Sequence, residues 1–353
     1  MSRQTDLAFA HQANLTALAH STAAHVARLW QGINPSDLDA QWDVTAPRMV
    51  ASVTASQGAA ADLAQSYSNA IDQTYGYKAP KTILNTDAFT DVMGDGRELA
   101  PALYGAVTNT KSLIGQGLDV PSAFQRGASF LAVIAQEAIA SMGRAADLSM
   151  MGGKKYTRYI RACAGSACSR CAILEGIWSS DTAFQRHPCC QCVAIPVEVD
   201  GRPSKATDRE FNPQAFFDSL STAEQDKRFT IAGAKAIRAG ADPVAVVNAR
   251  RGAYGIGYRS HGNAPSVSRN RLTPLTIGKR ADGSPLRVYA TVEGTTVRGA
   301  FTKAEAQRTE NAVKVGRYRR TTTVRLMPEQ IMRMAGSNAD RARELLTRYG
   351  YIN

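Results

Sequence analysis

All six cysteines of this 353-residue chain, at positions 163, 168, 171, 189, 190 and 192, fall within thirty residues. Disulfides among them would staple that patch and nothing else, and in a reducing compartment such clustering points to metal. In CSRCAILEGIWSSDTAFQRHPCCQC, residues 168 to 192, the spacing is Cys168-x2-Cys171, fifteen residues, then His187-x2-Cys190-x-Cys192. A pair of ligands on a tight turn, met by a second pair that a loop brings back, is how short segments build a tetrahedral zinc site. Cys168, Cys171 and Cys190 are the leading ligands, His187 and Cys192 compete for the fourth position, and Cys163 and Cys189 read as spare. Size gives the reason for a clamp. Residues 163 to 199 offer Ile173, Leu174, Ile177, Trp178, Phe184, Val193, Ile195 and Val197 as core, too little for a segment below about 40 residues to hold itself together. Structural zinc contributes on the order of 10 kcal/mol in small peptides.

Catalytic readings of the same residues fare poorly. A catalytic zinc needs an open position and a neighbouring acid or base, and only Glu175 and Asp181 lie between the ligand pairs. There is no His-Glu-x-x-His, and Pro188 and Cys189 follow His187 where a zinc deaminase needs His-x-Glu. A nuclease of the His-Asn-His type lacks its downstream histidines, since His261 is the last in the chain. A two-Cys two-His finger would need its second ligand pair on a helix about twelve residues on, whereas Pro188 suits a turn entering a strand. The strings nearest a phosphate loop, MMGGKK and TPLTIGKR, carry Leu148 and Thr273 in place of the first glycine. The chain is therefore expected not to be an enzyme.

Around this patch the predicted fold class is mainly α: a long-helix N-terminal body, a small zinc-stabilised α+β module, and an extended basic C-terminal region. Leu15, Leu18, Val26 and Leu29 share one face of a 3.6-residue period, as do Val53, Ala60, Leu63, Tyr67 and Ile71. NPSDLDAQWDV separates these two helices, with the second expected to open near Thr45-Ala-Pro47. A third starts near Asp119-Val-Pro121 and carries Phe124, Leu131, Ile134, Ala138 and Met142 to about Met150. His11 and His25, fourteen residues and roughly 21 Å apart along a helix, cannot share a metal; with His20 they read as surface or partly buried imidazoles. The expected divisions are residues 1 to 155, helical body; 156 to 200, zinc module, ending in the strand VAIPVEV; 201 to 250, further helices; and 251 to 353, the basic region. In that last region 252 to 286 reads as linker, 287 to 301 as a hairpin turning at Glu293-Gly294, and the end as two short helices around Gly336-Ser-Asn.

The net charge of +12 is unevenly placed. From Arg250 to Asn353 there are 20 Lys/Arg against 7 Asp/Glu, which leaves 22 against 23 for residues 1 to 249. A third of the chain that basic is suited to nucleic acid or an acidic partner. The N-terminal MSRQTDLAFAHQ has no apolar run of signal-peptide length, and the most apolar stretch, ASFLAVIAQEAIASM, is interrupted by Gln136 and Glu137. Neither secretion nor a membrane partner is expected.

The combination Cys168-x2-Cys171-x2-Leu174-x-Gly176-x-Trp178, then His187-Pro188-x-Cys190-x-Cys192 leading into Val193-Ala-Ile-Pro196, resembles the phage Mu F-like (SPP1 gene 7-like) minor head proteins. The strings AEQDKRF, VVNARRG, GTTVRG and PEQI with LLTRYGYIN are similar to members from actinobacteriophages. The sequence departs from the family pattern at Cys189, where a small or polar residue is usual, and it lacks the protease domain sometimes fused to these proteins. The resemblance implies a few-copy, non-enzymatic minor capsid protein on the portal inside the head, made in host cytoplasm and packaged during assembly. Its implied partners are the portal protein, scaffold or major capsid protein, and packaged double-stranded DNA through the basic third. A DNA-associated internal virion protein ejected with the genome is the competing expectation, and a metal-dependent nuclease or toxin a third.

Overall fold

The computed structural model describes residues 2–163, 167–182, 184, 190, 192–199, 212–251, 253, 272, 274–295, 301–302, 312–315, 318–321 and 324–352. It is mainly helical with a few small sheets and divides into two compact units, one of residues 1–167 and 174–211, the other of residues 168–173 and 212–353.

The first unit is built on four helices: α1 (Arg3–Gln31), α2 (Leu38–Tyr75), α3 (Leu99–Gly115) and α4 (Val120–Gly153). The α1 stripe forms as its periodicity predicts, with Leu15, Ala19, Ala23, Val26 and Trp30 buried and Leu18 and Leu29 packed at the margin. On α2 the buried set is Met49, Val53, Ala60, Ala64, Tyr67 and Ile71. Helix α2 opens earlier than Pro47 suggests, at Leu38 behind Asp37. Leu38 and Trp42 anchor that first turn in the core, while Pro47 is exposed, so the carbonyl its ring leaves without a donor lies on the hydrated face and the helix continues. Helix α4 starts where the sequence places it. The Asp119 carboxylate accepts from the Ser122 amide at 2.9 Å and Pro121 occupies the first turn. Helix α3, which the sequence reading does not single out, buries Leu99, Leu103, Ala106 and Val107 in the same core.

Small residues set how closely these helices approach. A Cβ at Gly127 on α4 would lie 2.1 Å from Thr110 Oγ1 and 2.7 Å from Trp30 Cζ2, both on buried residues. Gly127→Ala is expected to cost at least about 1–3 kcal/mol by overpacking, measured as a lower urea midpoint by circular dichroism; an unchanged midpoint would show that α3 and α1 are not fixed against α4 there.

Beyond α4, Lys154 and Lys155 end the helix, and Lys155 in the left-handed region (φ 62°) turns the chain. A three-stranded antiparallel sheet follows in the order β2-β1-β3, of β1 (Tyr156–Cys163), β2 (Gly176–Ser179) and β3 (Cys192–Val199). The expected strand VAIPVEV is β3, and its partner, the central strand β1, is a further finding. Tyr67 on α2 donates from its hydroxyl to the Ala194 carbonyl at 2.8 Å, and Tyr75 to the Pro196 carbonyl at 2.9 Å, which fastens the sheet to the helices.

In the second unit Cys168–Ile173 carries the single-turn α5 (Ser169–Ala172). Four short helices follow in the stretch read as helical: α6 (Pro213–Asp218), α7 (Thr222–Phe229), α8 (Ile231–Arg238) and α9 (Pro243–Ala249). The described parts of the basic region add paired strands, β4 (Leu275–Lys279) with β5 (Pro285–Val288), β6 (Ala290–Thr291) with β9 (Arg325–Leu326), and β7 (Ala312–Val315) with β8 (Tyr318–Thr321). The expected terminal helices are α10 (Pro328–Ala335) and α11 (Ala339–Arg348). Phe217, Phe229, Ile237, Val246, Leu326, Ile331, Leu345, Leu346 and Tyr351 form one core, so these parts of the basic third pack with α6–α9. Residues 296–300 of the expected 287–301 hairpin lie outside the described residues, and a hairpin instead forms from β4 and β5, largely in the stretch read as linker. It turns at Asp282-Gly283, where Gly283 takes φ 80° and the Asp282 carboxylate accepts from the Ser284 amide at 2.9 Å. The Glu293-Gly294 turn instead follows β6, whose partner β9 lies more than thirty residues on. One basic residue there is structural: Arg325, 3 % exposed, donates to the carbonyls of Tyr349, Glu293 and Gly350 and lies over the Tyr351 ring at 4.2 Å.

Candidate metal centre

The centre grows from the end of the central strand. Tyr159, Arg161 and Cys163 share one face of β1, because alternate residues of a strand point the same way. Cys163 lies opposite Cys192, the first residue of β3, and their Sγ atoms are 3.4 Å apart. Cys168 precedes α5, and the single turn carries Cys171 three residues on. Cys171, Cys190 and Cys192 are buried, and their Sγ atoms all lie within 4.8 Å of one another. In a tetrahedral thiolate site with metal–sulfur bonds of about 2.3 Å, sulfurs sit about 3.8 Å apart. Small side-chain rotations therefore close the three on one ion. They can hold a metal, and an all-sulfur set favours a soft or borderline one.

The surroundings are suited to negative sulfur. Arg161, 1 % exposed, directs one guanidinium nitrogen to Cys163 Sγ and the other to Cys190 Sγ, each at 3.8 Å, and lies over the Phe184 ring at 5.2 Å. Three or four thiolates on a divalent ion leave a net negative charge, and a guanidinium at this range offsets it without entering the coordination sphere. Arg144, buried on α4, donates to the backbone carbonyls of Ala140 and Cys190, tying the Cys190 backbone to the helices. Glu175 uses Oε1 to accept from the Cys163 amide at 3.3 Å. The Cys168 thiol is held well above its ordinary pKa, first by a hydrogen bond with the Cys171 side chain and second by burial. An ion taken up there has to displace that proton, so affinity falls as pH drops.

Among the residues expected to ligate, the structure brings Cys171, Cys190 and Cys192 together and places Cys168 against Cys171. His187, and Cys189 beside it, lie outside the described residues. Cys163, read as spare, stands next to Cys192. The signal that points to it is its register: three residues past the apolar Tyr159-Ile160 pair of a strand, it faces the last cysteine of the motif. Arg161 carries no motif and becomes visible only once β1 is known.

The helical body holds the sheet through a second buried constellation. His11 Nε2 lies 2.9 Å from Asp147 Oδ1, linking α1 to α4, and the imidazole stacks on Tyr67 at 4.4 Å with an interplanar angle of 4°. His11 is thus buried, unlike the exposed His20 and His25. Burial first, and the Asp147 charge next, push the Tyr67 phenol well above its usual pKa, so its hydroxyl remains a donor to β3. Among the described residues no helix is long and apolar enough to cross a membrane. Compared with protein-family models, curated proteins and solved structures, the chain matches none of them.

Proposed function

We propose that this chain is a minor head protein of a tailed phage, non-enzymatic, placed at the portal inside the capsid, with one structural zinc ion shaping its mid-chain sheet. The observation that carries the reading is the buried sulfur cluster of Cys171, Cys190 and Cys192. Enclosed thiolate sites stabilise folds, whereas catalytic ones keep a position open to water. The Cys-x2-Cys and His-Pro-x-Cys-x-Cys strings that resemble the Mu F-like family contain those cysteines, and Glu175, the carboxylate closest to them in sequence, is engaged with a backbone amide. Long helices supply a surface for protein docking, and the portal protein is the leading partner, with scaffold or major capsid protein next. Heads assembled without this protein are expected to show altered portal content, head shape or DNA packaging. If all three are unchanged, the reading fails.

The charge asymmetry favours a second reading, an internal protein that follows DNA out of the head. Counterion release gives log affinity a slope of about −0.9 per phosphate neutralised against log salt. Duplex binding by the full chain, titrated with salt, decides it; a flat response removes DNA as a partner.

A further inference from the structure

We infer that Cys163 and Cys192 are a redox pair that closes to a cross-strand disulfide under peroxide, and that this closure withdraws Cys192 from the metal centre. The two residues are in-register partners on adjacent antiparallel strands. Directly opposed antiparallel residues have Cα atoms about 4.5–5.5 Å apart, inside the range of about 4.4–6.8 Å that disulfides span. Their sulfurs are already in contact at 3.4 Å, and closing that gap takes side-chain rotation with the strands left in place. Cys192 also belongs to the three-sulfur group from which Cys163 is missing. One sulfur thus has two competing partners, an ion on one side and a thiol on the other. Cys163 keeps 6 % of its surface exposed and Cys192 none, so a small oxidant meets Cys163 first.

The chemistry closes with hydrogen peroxide as oxidant. The Cys163 sulfur attacks one peroxide oxygen and keeps it as a sulfenic acid, while the other oxygen leaves as water. The Cys192 sulfur then attacks the sulfenic sulfur, the S–S bond forms, and the sulfenic oxygen departs as a second water with the Cys192 proton. Two thiols lose two electrons, and peroxide accepts them.

Strands β1 and β3 pair along their whole length and β3 is fastened to α2 by the Tyr67 and Tyr75 hydroxyls, contacts that need no ion, so the first arm is independent of the zinc reading. Full-length protein, freed of metal by a chelator under reducing conditions, is treated with stoichiometric peroxide, alkylated and digested, and its disulfides are assigned by tandem mass spectrometry. The expected product joins Cys163 to Cys192. A dominant Cys168–Cys171 link, or both Cys163 and Cys192 recovered alkylated, overturns the inference. In the second arm, metal-loaded protein is exposed to peroxide and the released ion is read with a chromogenic chelator. Release from the wild type is expected to be at least about tenfold faster than from Cys163→Ser, because the neighbouring thiol acts at high effective concentration. Equal rates contradict the withdrawal of Cys192. A chain that never takes up metal contradicts the zinc reading and leaves the first arm to decide the pair.

Discussion

Cys171→Ser is expected to reduce bound metal from one equivalent per chain to none and to unfold the cysteine segment, while the helices of the first unit keep their circular dichroism. The asymmetry follows from where the apolar mass lies. Helices α1–α4 share a core that runs from Leu15 to Ile139 and owes nothing to the cysteines. The segment that carries the sulfurs is too small to replace a lost ion with packing, and the coupling at stake is on the order of 10 kcal/mol. Serine keeps the shape of the side chain but supplies no thiolate. Limited proteolysis should therefore cut the variant between residues 163 and 192 with the helical signal intact. Metal content equal to wild type would remove Cys171 from the ligand set.

Asp72→Ala is the second large effect, and it acts at the junction of α2, α4 and β1. Lys154, 2 % exposed, donates from Nζ to Asp72 Oδ2 and to Asn69 Oδ1, and the Tyr156 hydroxyl donates to Asp72 Oδ1 at 2.8 Å. Burial first, then the hydrogen bond to Asp72, raises the Tyr156 phenol, which stays protonated and keeps its place as a donor. Deleting the carboxylate strands a buried ammonium, a loss of about 3–5 kcal/mol. The double variant Asp72→Ala with Lys154→Met removes the stranded charge and should recover most of that stability. Urea unfolding of the two variants is the measurement. A single substitution costing less than about 1 kcal/mol would mean that water reaches Lys154 and that the junction is not dry.

What was legible in the sequence is what short-range chemistry determines. The stripes of α1 and α2, the Asp119 cap of α4, the strand after Cys192 and the terminal pair α10 and α11 all follow from periodicity, turn residues and caps. The Cys-x2-Cys and Cys-x-Cys spacing named three buried sulfurs that do meet. What escaped depends on distant partners. Strand β1 has no clean alternation, since six of its eight residues are buried, and it lies directly behind a 34-residue helix. Helix α3 is the exception: it carries Leu99, Leu103, Ala106 and Val107 at helical spacing, a stripe that its sequence does contain and that the reading passed over. His11 finds Asp147 across 136 residues, and Cys163 finds Cys192 only because β1 and β3 pair. Pro47 marked a helix start by local rule, but Leu38 and Trp42 packing into the core outweighed it.

The central claim is that a bound ion, held by buried cysteine sulfurs, shapes the mid-chain sheet. Elemental analysis of full-length protein purified under reducing conditions tests it most directly, with Cys171→Ser prepared in parallel. One equivalent of zinc in the wild type and none in the variant is the predicted result; a wild-type chain that is folded and free of metal would contradict it.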